Sequence, residues 1–431
     1  MSGMTRPKIA TLSLAAALWA AGLAPAPGWG SGFSATEPGV KAMGLGGAFT
    51  AQAADPTVIF YNPGALALLP KGKLTVGVGA LYLNESQFQG TSPGIGAGTA
   101  AEQEVGLTVP AQIYAVKALG PKLKLGLGVY TPYAFKTDWA DPAAFAGRYV
   151  TTSSELRTFD AKSVLALQVT PNFGFGAGVI YRTFDLAVGR RVPGFNPNTG
   201  EIQDIGSLAM QTDFESGIGW DAGFLHRIGK GFAWGASYRS PIDIDSVGAG
   251  RLTQILTGDA QIDALNRATL PYDVDLPLAT GISFPDTATL GIAITPSEML
   301  LVEVDVAQTG WSRFEGLAVD FPTRPAFDQT LQGAWEDALS YRLGVQLTMG
   351  KGVQLRFGYA FEESPQPDAS VAPLFPDAER SIFSAGIGRD WLDVGFQFIS
   401  PASRTTLTNA DNLNGTYSGN SYLLGFSITK K

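Results

Sequence analysis

The sequence predicts an all-β protein: a 14-stranded antiparallel transmembrane β-barrel with an N-terminal hatch, or plug, inside its lumen. Three observations predict it. Apolar and polar residues alternate through most of the chain after Pro70. The links between the alternating runs are short and long in strict turn. Residues 39–66 are glycine- and alanine-rich and nearly uncharged, follow neither a helical nor a strand period for long, and are too apolar for a solvated linker.

Composition agrees. Of 431 residues, 45% are hydrophobic and only 16% charged, with 53 Gly and 27 Pro, a low charge and high glycine content for a soluble protein. There is no cysteine, which excludes a disulfide scaffold, a thiolate metal site and a cysteine nucleophile. The formal charge of −8 argues against nucleic acid as a partner. No stretch after the N-terminus offers ~20 consecutive apolar residues, so a helix cannot span a bilayer here. A closed barrel is the remaining way to satisfy the backbone in lipid.

Taken in order, residues 1–30 read as a cleaved signal peptide. Arg6 and Lys8 form the basic n-region, Ile9 to Leu23 the apolar segment, and Gly28-Trp29-Gly30 the small-residue cleavage site. Removal takes two basic residues and no acid, which shifts the formal charge from −8 to −10. Residues 31–70 are the expected hatch and 71–431 the expected barrel. Within the hatch, Asn62-Pro63-Gly64 has the chemistry of a tight turn and is the candidate anchor of the plug to the wall.

The alternation is clearest in Val353 to Phe361, where Val353, Leu355, Phe357, Tyr359 and Phe361 share one face with Gln354, Arg356, Gly358 and Ala360 opposite. Tyr341 to Met349, Leu392 to Phe398 and Leu74 to Tyr82 repeat it. A face carrying Arg and Asp beside glycines suits a wet lumen, and the apolar face then meets lipid. Turn clusters place the strands near 72–83, 104–118, 122–131, 153–169, 173–188, 207–227, 231–245, 285–295, 299–319, 329–349, 352–361, 379–389, 391–401 and 417–429. Short turns on one side and long loops on the other are the asymmetry of an outer-membrane barrel, and an even strand count returns both termini to the periplasm.

In the longest loop, Arg251 to Leu270 changes period. Leu252, Ile255, Leu256, Ile262 and Leu265 follow helical spacing, with Asp259, Asp263 and Arg267 opposite. This predicts a loop helix whose apolar face either packs on a neighbouring loop or receives an apolar ligand. Arg148, Arg157, Arg342 and Arg356 are candidate partners for a ligand carboxylate; the alternative is a lumen ladder of charges paired with Glu303, Asp305 and Asp393. His226 is the only histidine, and no Gly-x-Ser-x-Gly accompanies it. A dyad or a transition-metal site is therefore hard to build; neither catalytic nor metal-ligating residues are assigned, and no cofactor is expected.

The chain resembles the FadL-type outer-membrane transporters of long-chain fatty acids and aromatic hydrocarbons. Ser31-Gly32-Phe33 is similar to that family's mature start, and Asn62-Pro63-Gly64 to its Asn-Pro-Ala, with Gly in place of Ala. Gly128-Val129-Tyr130-Thr131-Pro132, Gly147-Arg148-Tyr149, Gly235 to Ser240, Trp311-Ser312-Arg313-Phe314, Tyr341 to Val345, Ser364-Pro365 and Pro376 to Arg380 follow in the family's order. The chain departs from it in ending Ser427-Ile428-Thr429-Lys430-Lys431 rather than on an aromatic residue, at the end that the barrel-assembly machinery reads. The resemblance implies a monomer in the Gram-negative outer membrane, among its lipid and lipopolysaccharide. It further implies passive uptake of a hydrophobic small molecule, captured by extracellular loops and released sideways through a gap at a kinked third strand. Here that strand is Lys122 to Thr131, with Gly126 and Gly128 inside it and Pro132 ending it. A general diffusion porin, with an open bore, and an outer-membrane lipid hydrolase are the alternatives.

Overall fold

The computed structural model describes residues 32–34, 38–70, 73–104, 107–108 and 111–430; the expected signal peptide lies outside the described residues. Fourteen strands form the ring: β1 Leu74–Gly90, β2 Ala111–Ala118, β3 Leu123–Tyr130, β4 Ser153–Thr170, β5 Phe173–Asn196, β6 Glu215–Ile228, β7 Phe232–Arg239, β8 Thr287–Ser297, β9 Leu300–Thr309, β10 Ala338–Thr348, β11 Gln354–Glu362, β12 Arg380–Arg389, β13 Leu392–Pro401 and β14 Gly415–Lys430. Each pairs antiparallel with its neighbours in sequence, and β1 closes on β14 from Leu74↔Lys430 to Gly90↔Gly415. Closure of β1 on β14 leaves the sheet without a first and a last strand, the condition for a sheet in lipid.

Burial is inverted relative to a soluble sheet. Val76, Val129, Leu165, Val179, Leu290, Val304, Phe357 and Phe426 point outward and are exposed, whereas Asp160, Lys162, Arg182, Asp221, Glu303, Asp305, Arg356 and Asp393 are buried. Apolar area left in water forfeits about 25 cal/mol per Å², so this surface belongs in hydrocarbon.

Four expected strands, 207–227, 231–245, 299–319 and 329–349, proved too long. β6 starts at Glu215, and Glu201–Thr212 instead pairs with the distal half of β5. β7 stops at Arg239 before Ser240-Pro241, and Ile242–Gln254 pairs with Asp275–Phe284 beyond the ring. β9 stops at Thr309; Gly316–Asp320 and Gln329–Gln332 make their own hairpin before β10. Alternation continues through these breaks because the extracellular hairpins bury one face too, around an apolar core that includes Leu186, Leu208, Ile244, Leu278, Phe284 and Phe321. Period alone cannot say whether a face meets lipid or protein.

The loop helix is also shorter than expected. It spans Ala260–Thr269, with Asp259 as N-cap accepting from Gln261 N–H and Ile262 N–H at 2.9 and 3.2 Å. Leu252 lies in the preceding strand and is fully buried, and Ile255 follows that strand. Of the five residues assigned to one apolar face, Ile262 packs inward from the helix, while Leu256 and Leu265 remain 73% and 62% exposed.

Candidate functional site

Residues 38–69 lie against the inner faces of the ring and are almost entirely buried. Their two short helical turns, α1 Val40–Met43 and α2 Val58–Tyr61, and the 3-10 turn Pro63–Leu68 leave many backbone groups unpaired within the segment. In a water-poor bore these must find partners in the wall. Acids take the amides: Asp305 Oδ2 accepts from Phe49 N–H and Thr50 N–H at 2.9 and 3.0 Å, and Glu303 Oε1 from Ala51 N–H at 2.6 Å. Donors from the wall take the carbonyls. Lys124 Nζ reaches Ala67 O at 2.7 Å, Arg239 Nη2 reaches Phe60 O at 2.8 Å, Ser237 Oγ reaches Tyr61 O at 2.9 Å, and Tyr114 OH reaches Pro38 O at 2.7 Å. Lys162 donates to Ile59 O and pairs with Asp221.

At Asn62-Pro63-Gly64 the segment lies close against the wall. Asn62 Nδ2 donates to Thr50 O at 2.7 Å and to Phe224 O on β6 at 2.8 Å, while its Oδ1 accepts from Gly64 N–H at 2.9 Å. A Cβ on Gly64 would stand 2.3 Å from Phe224 Cα, and one on Gly176 of β5 would stand 2.3 Å from Pro63 O. Glycine on both sides permits the approach, which accounts for Gly64.

Gly126 and Gly128 do not bend β3. Both sit in an unbroken ladder, paired with Val116 and Tyr114 on β2 and with Val164 and Lys162 on β4. Their missing side chains make room for the segment: a Cβ on Gly126 would lie 2.7 Å from Leu66 Cδ2 and 2.9 Å from Ile59 Cγ1. The irregularity begins at Pro132. Tyr130 pairs with Asp160 and Ala134 with Arg157, so residues 131–133 face only 158 and 159, a bulge. Thr158 fills it, its Oγ1 accepting from Tyr133 N–H at 3.1 Å and its hydroxyl donating to Tyr133 O at 2.7 Å. On the opposite edge the β2–β3 ladder ends at Ile113↔Val129, and the same register reappears at Gln103↔Trp139. Between them no pair joins the two segments among the described residues. There Ser34 bridges Tyr133, and Ala134 N–H donates to Phe33 O at 3.2 Å.

Phe33 itself fills an aromatic pocket above the segment. Its ring centroid lies 4.6 Å from Trp311, 5.4 Å from Phe314, 5.7 Å from Trp335, 5.9 Å from Tyr133 and 6.0 Å from Phe284. A cavity of about 50 Å³ remains beside it, lined by Phe135, Leu156, Leu186, Ile282, Leu317 and Phe375 among others. Gly32 precedes it at φ +57°, where a Cβ would meet Trp311 at 2.6 Å. The Gly32 N–H also contributes to holding Asp377, a loop carboxyl that burial pushes up to about 6, against the lowering effects of the Ser364 hydroxyl (2.6 Å) and of Arg380 and Arg404.

The four candidate arginines do not converge. Arg148 pairs with Asp204 at 2.9 Å in the loops, Arg157 with Asp185 at 2.6 Å, Arg342 with Glu362 at 3.5 Å, and Arg356 with Asp393 at 2.7 Å. Of the ladder expected with Glu303, Asp305 and Asp393, the Arg356–Asp393 pair is present, whereas Glu303 and Asp305 accept from the segment's amides. His226 packs edge-on against Phe173 at 5.7 Å, with no nucleophile beside it among the described residues. Among the described residues no cluster could hold a metal ion. Sequence reasoning missed Phe33 as the pocket's occupant and Thr158 as the filler of the bulge; neither has a signal beyond its residue type.

A family model, "Outer membrane protein transport protein (OMPP1/FadL/TodX)", matches residues 21–431. The long-chain fatty acid transport protein of Salmonella typhi is 24% identical over 380 residues, covering 83% of each chain, and that of Escherichia coli K12 is 24% identical over 391 residues, covering 83% of this chain and 84% of its own. Among solved structures, a Pseudomonas aeruginosa FadL homologue superposes with a TM-score of 0.74 at 18% identity, over 93% of this chain and 99% of the other. The P. putida toluene transporter TodX superposes with a TM-score of 0.67 at 16% identity, over 93% and 98%. The family is one of transporters rather than enzymes. The chain belongs to this family of outer-membrane transport proteins, a barrel of the Gram-negative outer membrane.

Proposed function

We propose that the protein carries hydrophobic molecules, long-chain fatty acids or aromatic hydrocarbons, passively across the outer membrane, with residues 31–70 as a hatch that shifts to let them leave sideways. The relatives named for fatty acid and toluene transport support this substrate range. The observation that carries the mechanism is Phe33: a single ring from the N-terminal segment occupies an aromatic pocket, and its neighbour Ser34 bridges Tyr133 at the bulge that follows β3.

An apolar ligand that enters the pocket gains roughly 0.8 kcal/mol per buried methylene and competes with Phe33 for the same rings. Displacing Phe33 withdraws Ser34 from Tyr133 and frees the edge between β2 and β3 near Pro132. Beyond that edge lies hydrocarbon, so the ligand passes from pocket to bilayer without entering water. A general porin would need an open bore, and the burial of residues 38–69 supports a closed one. The first contact is made outside: Leu256 and Leu265, with Phe195 and Ile202 on the neighbouring hairpin, are exposed apolar residues of the extracellular loops and offer a landing surface. The same loops face lipopolysaccharide, and the barrel-assembly machinery inserts the chain as a monomer, since the pocket, segment and gap all lie within one ring.

The test is uptake of labelled oleate and labelled toluene by a Gram-negative strain lacking its own transporter. Uptake of either above the empty-vector control is expected; uptake of neither, with the protein in the outer membrane, sinks the reading.

A further inference from the structure

The outer surface of the barrel carries a charge feature that the bore and the pocket do not use. On five adjacent strands, β12, β13, β14, β1 and β2, the last lipid-facing positions before the periplasmic turns mix apolar and basic side chains. Arg389 pairs with Leu392, Leu392 with Ile428, Lys430 with Leu74, and Leu74 with Ala115. Lys430 and Lys117 stand two positions beyond Ile428 and Ala115 on the same face. Arg389, Lys430 and Lys117 are exposed, as are Ile387, Ile428 and Ile113, which precede them on that face of each strand.

The row lies at the headgroup level of the periplasmic leaflet. Trp391, 55% exposed in the turn between β12 and β13, marks that level, because indoles collect where hydrocarbon meets water. In a chain of formal charge −8 this arc is basic: Lys122 and Lys351 in the neighbouring turns join the three, and Asp390 is the one acid of those turns. Among the described residues none of the five basic side chains makes an ion pair. Arg389 gives one Nη2–H to Lys351 O at 2.9 Å and keeps its remaining donors for a ligand. Across the ring the β4–β5 turn carries no charge and the β8–β9 turn carries Glu298, so the cations gather on one side of the rim.

We propose that this arc binds anionic phospholipid of the periplasmic leaflet: Arg389, Lys430 and Lys117 hold the phosphodiester, and Leu392, Ile428 and Leu74 between them receive the first methylenes of the acyl chains. Successive cations of the row lie two strands apart, about 10 Å at a strand spacing of ~4.8 Å, so long side chains can meet one phosphate from both sides. Each basic residue adds to the attraction for an anionic headgroup, whereas a zwitterionic headgroup brings an ammonium that the same row repels. Inorganic phosphate would satisfy the cations but has nothing to lay on the apolar rungs. A soluble acidic protein would approach from the periplasm, yet these side chains continue lipid-facing columns. The site belongs to the barrel's lipid surface and stands whatever cargo the bore carries.

The experiment takes the whole protein, purified from outer membranes in a non-ionic detergent. It is titrated with phosphatidylglycerol or phosphatidylethanolamine of the same acyl chains, and bound lipid is counted by native mass spectrometry. Wild type is expected to bind phosphatidylglycerol about tenfold more tightly, the order that one or two basic residues supply. Lys117→Gln/Arg389→Gln/Lys430→Gln is expected to bind both lipids as wild type binds phosphatidylethanolamine. Lys430→Gln alone, at the middle of the row, is expected to lose part of the preference. Both variants should keep the heat-modifiable gel migration of a folded barrel. Lys230→Gln, which removes a cation from the β6–β7 turn elsewhere on the rim, is expected to keep the full preference; an equal loss there would mean diffuse attraction to charge and overturns the site. The site is equally overturned by equal affinity of wild type for the two lipids, by an unchanged preference in Lys430→Gln and the triple variant, or by displacement of phosphatidylglycerol by equimolar inorganic phosphate. Retention of polyglutamate in place of lipid would assign the arc to a soluble acidic partner and overturns it too.

Discussion

The Asn62 side-chain amide donates to the Phe224 carbonyl at 2.8 Å, a single hydrogen bond that ties the segment inside the ring to the sixth strand of its wall. The same amide donates to Thr50 O at 2.7 Å. Asn62→Ala leaves two buried carbonyls short of a donor, each costing about 1–3 kcal/mol, and should loosen the segment. Single-channel recording in planar bilayers is the measurement. Wild type is expected to conduct little and Asn62→Ala to show flickering openings; a wild-type-like trace would mean the tie is redundant.

Gly64→Ala probes the same contact by volume. With Phe224 Cα only 2.3 Å from the new Cβ, backbone must move, and neither Gly64 nor the β6 main chain can step aside cheaply. The variant is expected to gain conductance like Asn62→Ala, and pairing it with that substitution should add little, since both break one contact.

Glu303 and Asp305 clamp three consecutive amides. Hydrogen exchange of Phe49, Thr50 and Ala51 N–H should be slow in wild type and accelerate by one to two orders of magnitude in Glu303→Ala/Asp305→Ala, as charge-assisted hydrogen bonds of about 1.5–3 kcal/mol each are lost. Unchanged protection would show that burial alone holds the segment.

Ile59 Cγ1 lies 2.9 Å from where a Gly126 Cβ would stand, so Ile59→Cys with Gly126→Cys places two thiols within bonding reach, with the flexible terminal methyl of Leu66 as the nearest atom to give way. Oxidised, the pair is expected to stop oleate uptake, and reductant to restore it. Full transport by the locked protein would refute a moving hatch.

Asp377 supplies a pH dependence. Burial raises its folded pKa to about 6 from an unfolded value near 4, so the folded state binds the proton more tightly. Its contribution, on the order of 3 kcal/mol, is complete below about pH 4 and is lost as pH rises through 6. The thermal midpoint of wild type should fall between pH 4 and pH 7, and Asp377→Asn should flatten that slope; parallel slopes would assign the titration elsewhere.

Much of this was written in the chain. Alternation at Val353 to Phe361 and Tyr341 to Met349 needs only the period of a strand, and strict short–long linkage follows from counting residues between turns. Those local regularities determined the ring, its fourteen strands and the lipid-facing side. What they could not separate was a strand in the membrane from one in the loop cluster, because both bury one face; hence 207–227 and 299–319 ran too long, and Leu252 and Ile255 were assigned to a helix they precede. Gly126 and Gly128 read as bend-makers, whereas the tertiary structure makes them seats for Ile59 and Leu66. Phe33 in its aromatic ring, the amides of residues 49–51 on Glu303 and Asp305, and Arg239 on the Phe60 carbonyl were decided only by folding. Each joins residues up to about 300 positions apart, and a pairing across that distance has no period to betray it. Packing, not pattern, brings such groups together.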